Sequence, residues 1–405
     1  MKRFDLITPE GTKDLLFDEC QARREVENNL RNIFIGMGYS EVVTPGIEFF
    51  DVFNKKSSYI PQECIYKLTD AKSRLIAIRP DSTIPIARMV ATRLKDYALP
   101  LRLFYNQSIY SINPALSGRS DEEVQAGIEL IGSSSKKADL EVLSLAIQAL
   151  SSYDSENFRI EIGDIGFFTE LVSRLDVDSS VEEDIRRLIE VKNYPALNDF
   201  LDSIGDNQIT KALKQLPRLF GGVEVFEKAS TLFSDEKIDL ILSDLKGLYN
   251  KLEILGFNGR IAVDLGIVNR TNYYTGIVFR GYLQGYGEAV LSGGRYDKLI
   301  SEFGYDVPAI GFGINVDAVS SIIRKNNKSS DSTKTDIIVF GNNGYEMKAL
   351  TVAQKLYNEG KKVENAVFET IEEVKEYAKL YCIKEICKVS ESIEFINLQG
   401  GADNE

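Results

Sequence analysis

The sequence predicts an α+β protein: an antiparallel-sheet core interrupted by a helical insert and followed by a small α/β domain. Three observations carry this. Strand-like runs recur before residue 162 and after residue 260, while residues 166–256 are charged, Leu-rich and helix-periodic. A polar stretch, KNNKSSDSTKT, occupies 325–335 and marks a linker. Beyond it strand and helix patterns alternate. The expected organisation is a core over 1–325 containing the insert 166–256, a linker at 326–335 and a second domain at 336–405.

The elements follow in order. Val26, Leu30, Ile33, Phe34 and Met37 recur at spacings of three and four, predicting an amphipathic helix over 20–38 that Gly38 stops. Ser40–Thr44 reads as a strand ended by Pro45. Arg74–Ile78 reads as a strand, Thr83–Leu94 as a helix and Leu101–Tyr110 as a buried strand. In VQAGIELI (124–131) the period of two puts Gln125 and Glu129 on one face of a strand. Helix 137–151 and strand 158–162 precede the insert. Strands at 260–264, 275–280 and 288–291 and a short helix at 297–303 follow it. The second domain reads as strand 336–340, helix 345–359, strand 362–366, helix 371–380 and two short strands.

Composition sets the bounds. The 405 residues are 43% hydrophobic and 27% charged, ordinary for a soluble globular protein. No apolar run reaches membrane-spanning length, and the N-terminus has an early acid and no apolar stretch of the leader type. A cytoplasmic protein with no membrane partner is expected. The net charge is −13 and no long basic run occurs, so nucleic acid is not expected as a partner. Cys20, Cys64, Cys382 and Cys387 form no tight zinc pattern, and no metal or cofactor is expected. There is no histidine at all, which excludes imidazole bases and Ser-His or Cys-His nucleophile systems. That absence would also suit a protein made when histidine is scarce.

Several segments carry chemistry. Asp81, Ser82 and Thr83 close the run AIRPDST: a carboxylate in a partly dry pocket suits an ammonium, though Asp81 or Ser82 could equally be a helix N-cap. Gln125 and Glu129 are polar groups on a strand that otherwise reads as buried, so they need partners unless the strand is an exposed edge. Tyr273-Tyr274, the paired glycines of SGGRYD (292–297) and the run PAIGFG (308–313) add aromatic surface and close backbone approach.

Together these segments resemble the catalytic core of histidyl-tRNA synthetases, a class II aminoacyl-tRNA synthetase fold built on an antiparallel sheet. The resemblance spans about residues 5–325, with 336–397 similar only in topology to a shortened anticodon-binding domain. It implies that helix 20–38 and GYSEVVTP form a homodimer interface. It implies a histidine-pocket-like group of Asp81, Thr83, Arg119, Gln125, Glu129, Tyr273 and Tyr274. It also exposes a departure: where the family holds ATP with three arginines, this sequence has Tyr110, Asn269 and Ala318. A guanidinium is a fork of donors matched to phosphate, and none of these replaces its charge.

A core of this kind without those arginines resembles the ATP phosphoribosyltransferase regulatory subunits. That resemblance implies a protein of histidine biosynthesis with no catalytic residues. It implies a hetero-oligomer with a short catalytic subunit, which needs it for activity, and histidine as inhibitory effector. A divergent histidyl-tRNA synthetase and a sensor of uncharged tRNA are the alternatives.

Overall fold

The computed structural model describes residues 3–55, 60–114, 118–268, 273–326 and 335–398. The chain forms two compact units, 1–326 and 327–405. The first opens with α1 (Asp18–Gly36), whose Val26, Leu30 and Phe34 are fully buried. The strand expected at 40–44 is only β1 (Ser40–Glu41); beyond it the Thr44 amide is taken by the Gln107 side chain at 3.3 Å rather than by a backbone carbonyl of the next strand. Strands β2 (Ile47–Phe49), β3 (Lys67–Thr69) and β4 (Leu75–Ile78) form a small antiparallel sheet in the order β2-β4-β3. Helix α2 (Thr83–Arg93), long strands β5 (Leu101–Tyr110) and β6 (Glu122–Ile131), helix α3 (Lys136–Ser151) and strand β7 (Phe158–Asp164) follow.

Residues 165–252 are helices α4 (Ile165–Val172), α5 (Ser179–Glu190), α6 (Tyr194–Ile204), α7 (Gln208–Gln215), α8 (Glu224–Leu232) and α9 (Glu236–Leu252), with a two-residue strand β8 (Phe220–Gly221). Side-chain caps start most of them. Asp164, Asp178, Asn193, Asn207 and Asp235 each accept a first-turn amide, satisfying donors the helix cannot. Strands β9 (Ile261–Asp264), β10 (Ile277–Leu283), β11 (Leu291–Arg295) and β12 (Ala309–Asn315) and helix α10 (Val316–Asn326) complete the unit.

The main sheet runs β1-β5-β6-β12-β11-β10-β7-β9-β8. Its centre is antiparallel, with β6 flanked by β5 and β12, so Gln125 and Glu129 do not lie on an edge. The strand expected at 288–291 lies instead at 291–295. Gly293 and Gly294 are its middle, and a Cβ on Gly293 would meet Gly311 O at 2.5 Å and Phe279 Cζ at 2.6 Å. One core, including Phe34, Phe104, Ile128 and Phe279, fills one side of this sheet and continues into the insert through Ile185 and Ile189.

The second unit has strands β13 (Ile337–Gly341), β14 (Val363–Asn365), β15 (Glu385–Val389) and β16 (Ile393–Asn397) in the order β14-β13-β15-β16. Helices α11 (Glu346–Asn358) and α12 (Ile371–Leu380) pack on it. No helix among the described residues is long and apolar enough to cross a membrane.

Candidate functional site

Strands β6 and β12 place the floor of a pocket of about 250 Å³. Gln125 and Glu129 rise from β6, and Gly311 lies directly opposite Glu129 in the ladder. A Cβ on Gly311 would stand 1.8 Å from Glu129 Oε2 and 2.3 Å from Ile128 O, so glycine leaves the space this carboxylate occupies. Asp81 and Thr83, at the start of α2, form one wall. Tyr105 of β5, Tyr273 and Tyr274 before β10, and Tyr296 after β11 form the others. The rings pack tightly: the Tyr273 centroid is 4.8 Å from that of Tyr274 and 5.7 Å from that of Tyr296.

Hydrogen bonds fix the polar groups. Thr83 Oγ1 donates to Glu129 Oε1 at 2.8 Å, and the Tyr296 hydroxyl donates to Glu129 Oε2. The Tyr105 hydroxyl donates to Gln125 Oε1 at 2.9 Å. Asp81 Oδ1 accepts the Ile84 amide at 2.8 Å, so the helix-cap role is present alongside its place in the wall. Burial pushes Glu129 up to about 8, its two hydroxyl donors only partly opposing this. Burial likewise pushes Asp81 up to about 6. No lysine or arginine lines this pocket among the described residues. One buried and one half-buried carboxylate without a countercharge favour a cationic guest.

The structure thus brings together Asp81, Thr83, Gln125, Glu129, Tyr273 and Tyr274. Arg119 is not with them. It lies on the neighbouring cavity and pairs with Glu288 at 2.8 Å. Asn269 and Arg270 fall outside the described residues. Sequence reasoning did not pick out Tyr105, Ser292, Tyr296 or Glu190 as lining residues. Tyr296 had a signal, since it sits inside the SGGRYD segment. Glu190 had none.

The larger cavity, about 920 Å³, shares Gln125, Ser292 and Gly313 with the pocket. Among the described residues six carboxylates line it, including Asp121, Glu122, Glu123 and Asp317, against four cations. Each of those cations has a carboxylate within ion-pair distance. Arg23 meets Asp317 at 2.6 Å, Arg24 meets Glu27 at 2.5 Å, and Lys13 lies 3.9 Å from Glu19. Ala318 faces this cavity from the first turn of α10. The Tyr110 hydroxyl donates to Glu122 Oε1 at 2.9 Å. Arg295 is buried and satisfied by Asp139 at 2.5 Å, Asp297 at 3.0 Å and Ser133 O at 3.0 Å.

Known proteins match this architecture closely. The family model for histidyl-tRNA synthetase covers residues 11–319. The ATP phosphoribosyltransferase regulatory subunit of Clostridium acetobutylicum is 44% identical over 377 residues, 91% of each chain. That of Bacillus cereus is 37% identical over 94% of this chain and 90% of its own. The chain belongs to the ATP phosphoribosyltransferase regulatory subunit family. A solved structure described as an ATP phosphoribosyltransferase regulatory subunit/histidyl-tRNA synthetase from Bacillus halodurans matches at TM-score 0.84. It is 29% identical, and the match covers 96% of this chain and all of that one. Histidyl-tRNA synthetase from Nostoc shares the fold at TM-score 0.79 with 22% identity, covering 98% of this chain and 96% of that one. The regulatory-subunit family thus carries a synthetase-type core.

The packing at Gly311 gives a direct test of how the floor is built. Gly311→Ala is expected to destabilise the protein by about 1–3 kcal/mol, the usual range for overpacking. It should also displace Glu129. Thermal melting and a crystal structure of the variant check both. A variant that melts like the wild type with Glu129 in place would show that the floor yields easily.

Proposed function

We propose that this chain is the non-catalytic regulatory subunit of an ATP phosphoribosyltransferase, acting in the cytoplasm at the first step of histidine biosynthesis. A separate short catalytic subunit performs the transfer and needs this chain for activity. Histidine is the effector and occupies the pocket formed by Asp81, Thr83, Gln125, Glu129, Tyr273 and Tyr274. The observation that carries the reading is the contrast between the two cavities. One offers uncompensated carboxylates to a cationic amino acid, and the adjoining one offers carboxylates where a nucleotide would need free cations. Tyr110, Asn269 and Ala318 supply no such cation.

The core, 1–325, forms a homodimer through α1 and the segment after it, within a larger hetero-oligomer. Ile47, Phe49 and Leu68 share one face of the small sheet and are 53%, 45% and 44% exposed, which supports a second copy covering them. The domain at 336–405, beyond the linker at 326–335, is a remnant of an anticodon-binding domain.

Purified catalytic subunit is expected to transfer the phosphoribosyl group only when this chain is added. L-histidine titrated into the same mixture should then inhibit it. Activity indifferent to this chain, measured with the cognate catalytic subunit, would remove the proposal. Inhibition surviving Asp81→Asn would move the effector out of this pocket.

A further inference from the structure

The pocket has one wall residue that comes from the helical insert. Glu190 is the last residue of α5, in the helical insert. Every other lining residue comes from outside 165–257. The insert therefore reaches the mouth of a site built otherwise by the sheet and α2. Glu190 also stands where helix electrostatics disfavour an acid. The C-terminal end of a helix carries partial negative charge, and carboxylates belong at the other end, where α5 has Glu182.

Its holding contact is a single one. Arg186 Nη1 donates to Glu190 Oε2 at 3.0 Å, one turn away on the same helix, with the two side chains 12% and 25% exposed. Arg186 is meanwhile held twice by Glu183, through Nε at 2.7 Å and Nη2 at 2.5 Å. Glu190 can turn away while Arg186 keeps a bidentate carboxylate partner. The helix that carries it is firmly seated. Asp178 caps its start, and Ile185 and Ile189 are buried in the same core as the sheet.

We propose that the insert reads the pocket through Glu190, which exchanges its contact with Arg186 for a cationic N–H group of the bound ligand. The ligand class is an amine or imidazolium small enough for 250 Å³. Occupancy then biases the ordering of the last turn of α5, while Ile185 and Ile189 keep the helix seated. This gives the effector the difference in affinity between two arrangements that regulation requires. The inference rests on the reading of this pocket as an amino-acid site.

The test uses the full chain, with L-histidine as probe, alone and in the complex with the catalytic subunit. Calorimetric titration is paired with hydrogen exchange of the α5 amides. Histidine is expected to slow exchange at the end of α5. Glu190→Gln is expected to weaken binding by about tenfold or more and to remove that protection. Arg186→Met frees Glu190 and is expected to tighten binding a few-fold, which a merely structural ion pair would not do; it also keeps the inference testable if the Glu190 variant misfolds. Wild-type affinity in both variants, with α5 exchange unchanged by histidine, would overturn the inference and leave the pocket reading standing. No histidine binding by the wild type in either setting would overturn both.

Discussion

Glu129→Gln is expected to make the protein more stable near pH 8 and, at once, nearly deaf to histidine. Both effects have one cause. Glu129 is 1% exposed, and burial raises it from the usual carboxylate range to about 8. In the unfolded chain it releases its proton near 4.5, its ordinary value. Between those two values the folded protein holds a proton that the unfolded chain has released. Stability therefore falls as pH rises through that window, by about 1.4 kcal/mol per unit, and levels off above it. Asp81 adds a smaller fall between 3.8 and about 6. Glutamine keeps the shape, can still accept from Thr83, and cannot ionise. The variant should match the wild type near pH 5 and exceed it by a few kcal/mol near pH 8, raising its melting temperature there by about 3–6 °C. The stability comes at the expense of the site, as is usual where function needs an unfavourable group. A cationic ligand supplies the charge that lets Glu129 ionise, so removing the carboxylate should weaken histidine binding about 10- to 100-fold, the worth of one charge-assisted bond. Melting curves from pH 5 to 8.5 and titrations at pH 8 decide it. Equal pH slopes in the two proteins would sink the idea that Glu129 is the strained group.

Asp81, Thr83, Tyr273 and Tyr274 were legible only through the resemblance to the synthetase core, whereas the pairing of Gln125 with Glu129 was legible in the sequence itself because strand periodicity is strict. Two residues four apart on a strand share a face whatever surrounds them, so Gln125 and Glu129 had to converge. The glycines of SGG and of the run ending at Gly313 were legible as close approaches, and the strand through SGG was misplaced for the same reason. Glycine has no side chain to show the alternation that marks a strand. Glu288, expected in that strand, lies just before it and pairs with Arg119 instead. Arg119 shows the other limit. It is six residues from Gln125, yet it precedes the start of β6 at Glu122, so strand geometry does not carry it into the pocket. Glu190 reaches the site from a separate helical block about 60 residues further on, and helical periodicity says nothing of what a helix end will touch. At the end of the strand expected over 40–44 the Thr44 amide is taken by the Gln107 side chain, a partner 63 residues away that local pattern cannot contain.

No histidine-dependent ATP–pyrophosphate exchange is expected from this chain, and restoring arginine at positions 110 and 318 is not expected to create it. The loss is large. Each charge-assisted contact to phosphate is worth about 1.5–3 kcal/mol. Losing all three would weaken nucleotide binding by roughly a thousandfold to a millionfold. Restoration fails for a second reason, which is the surrounding charge. Tyr110→Arg would emerge opposite Glu122, whose carboxylate already takes the tyrosine hydroxyl at 2.9 Å. Ala318→Arg would emerge beside Asp317 on the cavity that Glu123 also lines. Glu123 is itself held above the usual carboxylate range, first by burial and then by the Asp317 charge. New guanidinium groups would pair with these acids before they met a triphosphate. The double variant should therefore recover less than about tenfold in ATP affinity, about one charged contact at its weakest. Adding Glu122→Gln and Glu123→Gln should recover more. Micromolar ATP binding by the double variant alone would show that two of the three arginines suffice and that the acids are no obstacle. Failure of the quadruple variant to improve on the double would show that the acids were not one. Either result would break the proposed link between the two cavities, in which carboxylates would admit an ammonium on one side and turn phosphate away on the other.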